Sequence, residues 1–195
     1  DAIPESLKHI GYTVTTLDPA TITVESLKGF DAVVIGIRAY NTVPEMAFKQ
    51  TVLNDYVAQG GTVIVQYNTS RGLVSENYGP YPLQLSRDRV TDEFATVTLL
   101  AKNHPVLNSP NKISSTDFEN WVQERGLYFP NQWDEAYTPI LEMNDPGESP
   151  SKGSLLIAQH GKGYYVYTGL SFFRELPAGV AGAYRLFANL LSLGK

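Results

Sequence analysis

Two short groups of polar residues follow apolar runs, and their residue types suit ligand binding. One group follows DAVVIGI and the other follows GGTVIV. Amides and a guanidinium can hydrogen-bond sugar hydroxyls, and aromatic faces can stack on sugar rings. The candidate binding residues in these groups are Arg38, Tyr40, Asn41, Gln66, Tyr67 and Asn68.

Catalytic chemistry fits the sequence less well. A nucleophile elbow needs small residues around the reactive group, and no glycine flanks Tyr67, itself a weak nucleophile at its usual high pKa. His9, His104 and His160 show no metal-ligand spacing, and Gly161-Lys162-Gly163 lacks the rest of a phosphate-binding loop. We therefore predict no catalytic residue, no metal and no cofactor, while a zinc site built from residues distant in sequence stays open.

Arg38 and the acidic residues keep two interpretations each. Arg38 could bind an anion or a sugar, or it could hold a buried carboxylate such as Glu119 or Glu124 in a bidentate ion pair. Acidic residues such as Glu119 and Glu124 could act in a glycosidase only if they faced each other across a cleft. Solvated charges and an ion pair of Arg125 are the simpler explanation.

A strand–helix–strand unit must position the two polar groups. The apolar runs predict buried strands at Ala32–Ile37 and Thr62–Gln66. A helix is predicted at Glu45–Gln59, with a capping box that begins at Thr42 and an apolar face that includes Phe48. Parallel strands joined in this way end at one edge of the sheet, where ligands bind. We expect both polar groups at that edge.

The remaining pattern predicts an α/β fold, flavodoxin-like, with a mostly parallel sheet, helices on both faces and a late antiparallel hairpin. No strand precedes the first predicted helix, so we expect either a strand upstream of Asp1, in a fragment of a longer chain, or an open slot in the sheet. Residues 69–89 are expected to form a long loop. The other predicted elements are helices at 1–10 and 182–193, strands at 12–17, 94–100 and 138–143, and a hairpin of 154–159 with 163–168.

Bulk composition limits the function classes. The 195 residues suit a single domain, 1–195, and a net charge of −5 without like-charged blocks argues against a nucleic-acid partner. No apolar run approaches the roughly 20 residues needed to span a bilayer. The absence of cysteine removes thiol nucleophiles and disulfides. It is compatible with an exported or periplasmic bacterial protein without showing export.

Five later residues could complete the candidate surface, because they are aromatic or cationic and lie in aromatic-rich segments or at predicted strand ends. They are Trp121, Arg125, His160, Phe173 and Arg174.

Several motifs resemble a known family. The series DAVVIGIRAYN, GGTVIVQYN, NHPVLN, FENWVQERGLYF and GKGYYVYTGLSFFRELPAGVAGAYRLFANLL resembles the C-terminal module of large bacterial PIG-L/LmbE-type deacetylase proteins. The order of elements is similar to the ThuA-like, class I glutamine amidotransferase-like fold. The resemblance implies a carbohydrate-related context and a catalytic deacetylase domain of the same chain as partner.

The resemblance also argues against both activities in these residues. Amidotransferases carry a cysteine after the strand that corresponds to Thr62–Gln66, and Tyr67 or a neighbour stands there in this sequence. The zinc-binding deacetylase motifs are absent as well. We expect a non-catalytic accessory module that binds a glycan or packs against its catalytic domain. The alternatives are a ThuA-like sugar-processing hydrolase or amidotransferase-like enzyme that uses His160 and a carboxylate, and a pure domain–domain interface.

Overall fold

The computed structural model describes all 195 residues, Asp1–Lys195. It contains nine strands and six helices, with two additional 3-10 turns at Pro105–Leu107 and Ser115–Phe118. The strands are β1 (Val33–Ile35), β2 (Thr62–Val65), β3 (Leu83–Val90), β4 (Thr98–Leu99), β5 (Gly126–Trp133), β6 (Tyr137–Pro139), β7 (Leu141–Glu142), β8 (Leu155–His160) and β9 (Gly163–Thr168). The helices are α1 (Ile3–His9), α2 (Val24–Leu27), α3 (Ala39–Thr42), α4 (Met46–Ala58), α5 (Phe172–Glu175) and α6 (Ala181–Leu191).

The main sheet has five strands in the order β1-β2-β9-β8-β6. β1, β2 and β9 are parallel, whereas β8 is antiparallel to both of its neighbours. Four of the five strands therefore point in one direction, and β8 and β9 form the late hairpin that the sequence predicts. The architecture is a mixed α/β fold with a mostly parallel sheet.

The unit β1-α4-β2 confirms the central prediction. β1 and β2 run parallel in register, with Val33 opposite Val63 and Ile35 opposite Val65. All four residues of β2 are buried, as expected for a strand covered on both faces. The predicted helix and strands between 31 and 68 are thus present, each slightly shorter than predicted.

Two details of α4 differ from the prediction. No side chain caps its first turn, because Thr42 belongs to α3 and its hydroxyl donates to the carbonyl of Arg38. Its buried stripe is Met46, Gln50, Leu53 and Val57, at spacings of four, three and four residues. At about 100° per residue, Phe48 points roughly 200° away from Met46. It is accordingly 69% exposed.

Helices cover both faces of the sheet, which separates two hydrophobic cores. Ile64 and Val166 turn into a core shared with α1 and α6, which we call the α6-side core. Val63 and Val65 turn the other way into a core shared with α4, which we call the α4-side core. The alternation follows from the period of two in a strand.

Several predicted elements outside this unit were wrong. Residues 12–17 form no strand, and the second half of the predicted 69–89 loop is β3. β3 pairs antiparallel with β5 in a separate small sheet, and β4 pairs with β7. The 94–100 and 138–143 strands shrink to β4 and to the short β6 and β7. No helix is both long and apolar enough to cross a membrane.

Candidate functional site

The two polar groups meet at the carboxyl edge of the sheet. The backbone N–H of Arg38, just after β1, donates to the carbonyl oxygen of Tyr67, just after β2, at 2.8 Å. The parallel strand order forces this meeting, because both strands end at the same edge. This part of the site was correctly predicted from the sequence.

Arg38 does not form the buried ion pair that was one of its two interpretations. Its side chain is exposed, and it makes no salt bridge with Glu119 or Glu124. Glu124 instead accepts from Arg174 Nε at 2.8 Å. Arg38 adopts a left-handed backbone conformation with φ of 58°, which turns the chain sharply from β1 into α3.

Four of the predicted binding residues form the framework beneath the edge. Asn68 is fully buried, where its Oδ1 accepts from the backbone N–H of Tyr40 at 2.9 Å. Tyr40 is also fully buried, and its hydroxyl bonds to Gln50. The amide of Asn41 binds the backbone of Thr69 and Arg71. Gln66 is 1% exposed. Because their polar groups are buried or already bonded, these residues support the edge from below.

Trp121 and Arg125 lie in the interior and not on the surface. Trp121 is 3% exposed and donates from Nε1 to the carbonyl of Asp117 at 2.9 Å. Arg125 makes no ion pair, because its guanidinium donates to the carbonyls of Ala95 and Phe118 and lies over the rings of Phe118 and Trp121. Burial lowers the pKa of Arg125. The predicted ion pair of Arg125 is therefore absent.

His160 lies at the opposite end of the sheet. β8 runs antiparallel to β9, so His160 at its carboxyl end faces Gly163, the first residue of β9. Its Nδ1 is 3.2 Å from the hydroxyl of Tyr81, and no carboxylate is bonded to it. His160 is therefore separated from the edge that carries Arg38 and Tyr67, and the predicted grouping of these residues was wrong.

Three aromatic rings line the carboxyl edge, and we call them the aromatic rim: Tyr67, Tyr128 and Phe173. The rings of Tyr67 and Tyr128 are stacked with centroids 6.1 Å apart and an angle of 10°. Phe173 lies 5.2 Å from Tyr67. Tyr128 and Phe173 are half-buried, while Tyr67 is 9% exposed. The faces that remain open belong mainly to Tyr128 and Phe173.

Sequence reasoning missed Tyr128, because a non-local contact places it. β5 begins beside the end of β9, where the N–H of Leu127 donates to the carbonyl of Gly169 at 2.9 Å. A Cβ on Gly126 would lie 2.4 Å from the same oxygen, so glycine permits this approach. The only available signal was the aromatic density of the FENWVQERGLYF segment.

Backbone strain is concentrated around the rim. Four non-glycine residues have positive φ, and two of them, Arg38 and Tyr128, belong to the edge itself. The other two, Asn120 and Gln123, flank Val122, whose N–H donates to Glu175. Non-glycine residues in this region cost free energy and tend to occur at functional sites.

A short charged network supports Phe173 from below. The guanidinium of Arg174 lies 5.1 Å from the Phe173 ring centre while its Nε pairs with buried Glu124. Neighbouring Glu175 is fully buried and accepts from Val122 N–H and from the Ser171 hydroxyl. Burial raises the pKa of Glu175 to about 7, and nearby Glu124 adds to the rise.

The rim is suited to binding and poorly suited to nucleophilic catalysis. Burial raises the pKa of Tyr67, although the positive charges of Arg38 and Arg174 act in the opposite direction. The phenol is therefore protonated at neutral pH, and both oxygens of Glu175 are already bonded. No group of three His, Asp or Glu side chains could hold a metal ion. Ring faces and an exposed guanidinium remain.

Comparisons with known proteins reach this chain only at the level of fold. No family model and no curated protein sequence matches it. A cytoplasmic protein from Salmonella typhimurium is similar with a TM-score of 0.64 and 14% identity, over 96% of this chain and 83% of that one. A protein assigned as one GMP synthase subunit from Thermoplasma acidophilum gives 0.56 and 10%, over 97% and 84%.

A third structure is a cold-adapted β-galactosidase from a Rahnella species, with a TM-score of 0.53 and 17% identity. It is covered over 96% of this chain but only 26% of that one, so the shared fold is one part of a larger enzyme. At these identities the likeness shows the fold alone. The chain therefore has an α/β fold of the kind found in the amidotransferase-like GMP synthase component.

Proposed function

We propose that this chain is a non-catalytic accessory module that binds a carbohydrate at its aromatic rim. The observation that carries the proposal is the cluster of Tyr67, Tyr128 and Phe173 beside two arginines, at the edge where open α/β sheets bind ligands. Ring faces stack on sugar rings, and guanidinium groups donate to hydroxyls.

The proposed parent protein is a PIG-L/LmbE-type deacetylase, whose catalytic domain would be the partner of this module. Support comes from the motif resemblance and from the fold shared with one quarter of a β-galactosidase, which is itself a sugar-processing enzyme. Both supports are analogies, and the rim geometry is independent of them.

The enzymatic alternative has less support. It requires His160 and a carboxylate near the ligand, whereas His160 lies at the other end of the sheet beside Tyr81. The buried carboxylates near the rim, Glu124 and Glu175, are committed to Arg174, Val122 and Ser171. A general base at the rim would need one of these contacts to break.

A glycan-binding screen of the intact chain tests the proposal. Phe173→Ala and Tyr128→Ala should each weaken binding about tenfold, equivalent to ~1.4 kcal/mol, because each removes a ring face from the ligand. Phe48→Ala is the matched control, since Phe48 is also exposed but lies on the outer side of α4. It should leave affinity unchanged.

Two outcomes would overturn the glycan proposal. One is the absence of binding to any glycan by the folded wild-type chain, which would favour a face for a partner domain. The other is equal loss of affinity in the Phe48→Ala control, which would show that binding is not located at the rim. Thermal unfolding of each variant separates lost binding from lost folding.

A further inference from the structure

A cavity of about 640 Å³ lies between the edge strand β1 and the segment Thr13–Leu17. We call it the slot. Its lining is mostly apolar and reaches both sides of the sheet, including Leu7 of α1 and Leu53 of α4. It is separate from the aromatic rim, none of whose three residues lines it.

Both walls of the slot carry backbone groups without partners. β1 is hydrogen-bonded only to β2 and forms the edge of the sheet. Because the carbonyl of Ile35 accepts from Gln66 N–H on the β2 side, the alternate residue Val34 turns its backbone groups toward the slot. Across the slot, the residues of Thr13–Leu17 make no hydrogen bond with any other part of the protein.

Side chains from both walls already enter the two cores. Val14 and Val34 pack against the α6-side core. Leu17 and Val33 pack against the α4-side core. Val33 and Val34 are only half-buried, unlike the fully covered β2 next to them. A strand between the walls would send alternate side chains into the two cores and complete the burial of β1.

A buried acceptor at the slot also lacks a partner. Gln66 is 1% exposed and lines the slot at the carboxyl end of β1. Its Nε2 donates to Asp1 Oδ2 at 3.1 Å and to the carbonyl of Ile35 at 3.3 Å, but its Oε1 has no hydrogen-bond donor. Leaving such an oxygen unpaired costs free energy, so an N–H group at this place would be stabilising.

The charges of the slot restrict its occupant further. Only two charged side chains line it, Asp1 and Asp31, and both are acidic. Asp1 accepts from Ile37 N–H beyond the carboxyl end of β1, and Asp31 precedes its amino end. The walls between them are apolar or carry threonine. A complementary segment is therefore uncharged in its middle and neutral or basic at its ends.

We infer that the slot receives an extended apolar peptide segment of about five residues, which adds a β-strand between β1 and Thr13–Leu17. Its backbone pairs with the free edges, and its side chains divide between the two cores. An N–H of the segment meets Gln66 Oε1. An acyl chain would fill the same volume but would leave every one of these polar groups unpaired.

Peptide binding with residue-resolved hydrogen exchange tests this inference. The probe is an acetylated and amidated peptide, Lys-Val-Val-Ile-Val-Lys, added to the intact chain at about 1 mM. Amide exchange of Val34 and of Thr13–Leu17 should slow at least about tenfold, because those N–H groups gain acceptors. The matched control carries proline at the central isoleucine, which removes an N–H, and should give no protection.

Decanoate at the same concentration forms a third arm of the experiment. The inference is overturned if the valine-rich peptide gives no protection, or if the proline peptide protects equally well. It also fails if decanoate binds and excludes the peptide, since the slot would then be an acyl site. Because the slot and the rim share no residue, each of these results is independent of the glycan screen.

Discussion

At the scale of single residues, the rim depends on side chains that are buried beneath it. Arg174 lies against Phe173 and also pairs with Glu124, so one guanidinium orients a ring and neutralises a buried carboxylate. Glu175 holds the Val122 loop through its backbone N–H. Removing either carboxylate would leave a buried donor without a partner, which costs more than an exposed hydrogen bond contributes.

Glu175 makes stability depend on pH. Its pKa is raised from an ordinary value of 4.5 to about 7 in the folded state, mainly by burial. The folded protein therefore holds this proton more tightly than the unfolded chain. Stability from this group is fully present below pH 4.5 and is lost as pH rises through about 7, by about 2 kcal/mol after allowance for solvent screening.

The variant Glu175→Gln should lose this pH dependence, because glutamine stays neutral while an amide oxygen can still accept from Val122 N–H. Denaturant unfolding at pH 5 and pH 8 measures the difference. Arg174 and Glu124 face the same group and remain unchanged in the variant. Glu5→Gln on the exposed surface of α1 is the control, and it should keep the wild-type dependence. An unchanged slope in Glu175→Gln would contradict the assignment.

At the scale of elements, the close approach of β5 to the end of β9 builds the rim. The N–H of Leu127 bonds to Gly169, and Ser171 N–H bonds to Arg125. This contact brings Tyr128 against Tyr67, although the two residues are 61 positions apart, as 128 − 67 gives. Glycine at position 126 is necessary because the neighbouring backbone occupies the place of a Cβ.

Gly126→Ala should therefore destabilise the protein by about 1–3 kcal/mol, since the new methyl group would overlap the Gly169 carbonyl oxygen. Chemical denaturation measures the change in the free energy of unfolding. Gly29→Ala is the matched control, because a Cβ there meets no atom within 4 Å. Equal behaviour of the two variants would show that β5 does not approach β9 as described.

At the scale of the whole molecule, one sheet joins two cores. Adjacent residues of β2 enter opposite cores, Ile64 on the α6 side and Val63 on the α4 side. Neither core can lose its packing without exposing the other face of the same strand. The 195 residues are therefore expected to unfold in one cooperative transition, as single domains of this size commonly do.

The two tryptophans can test this expectation, because they lie in different places. Trp121 belongs to the α6-side core, and Trp133 packs beside the α4-side core. Trp133→Phe leaves Trp121 as the only tryptophan, and Trp121→Phe leaves Trp133. After correction for the stability of each variant by circular dichroism, fluorescence and circular dichroism should report the same midpoint. Separate midpoints within one variant would mean that the cores unfold independently.

Sequence alone determined the local units of this protein and the edge at which they meet. Apolar runs around Val33–Ile35 and Thr62–Val65, with α4 between them, specify parallel strands, because burial on both faces and a helical crossover allow little else. That order was enough to bring Arg38 beside Tyr67. The hairpin of β8 and β9 was equally local.

Only the tertiary structure decided which polar residues stay available to a ligand. Tyr40, Asn68, Trp121 and Arg125 have suitable chemistry, but long-range packing buries them and provides their hydrogen-bond partners. Tyr128 gained its place from the pairing of segments distant in sequence. Residue type and spacing report the chemistry of a side chain, whereas its exposure depends on non-local contacts that spacing does not encode.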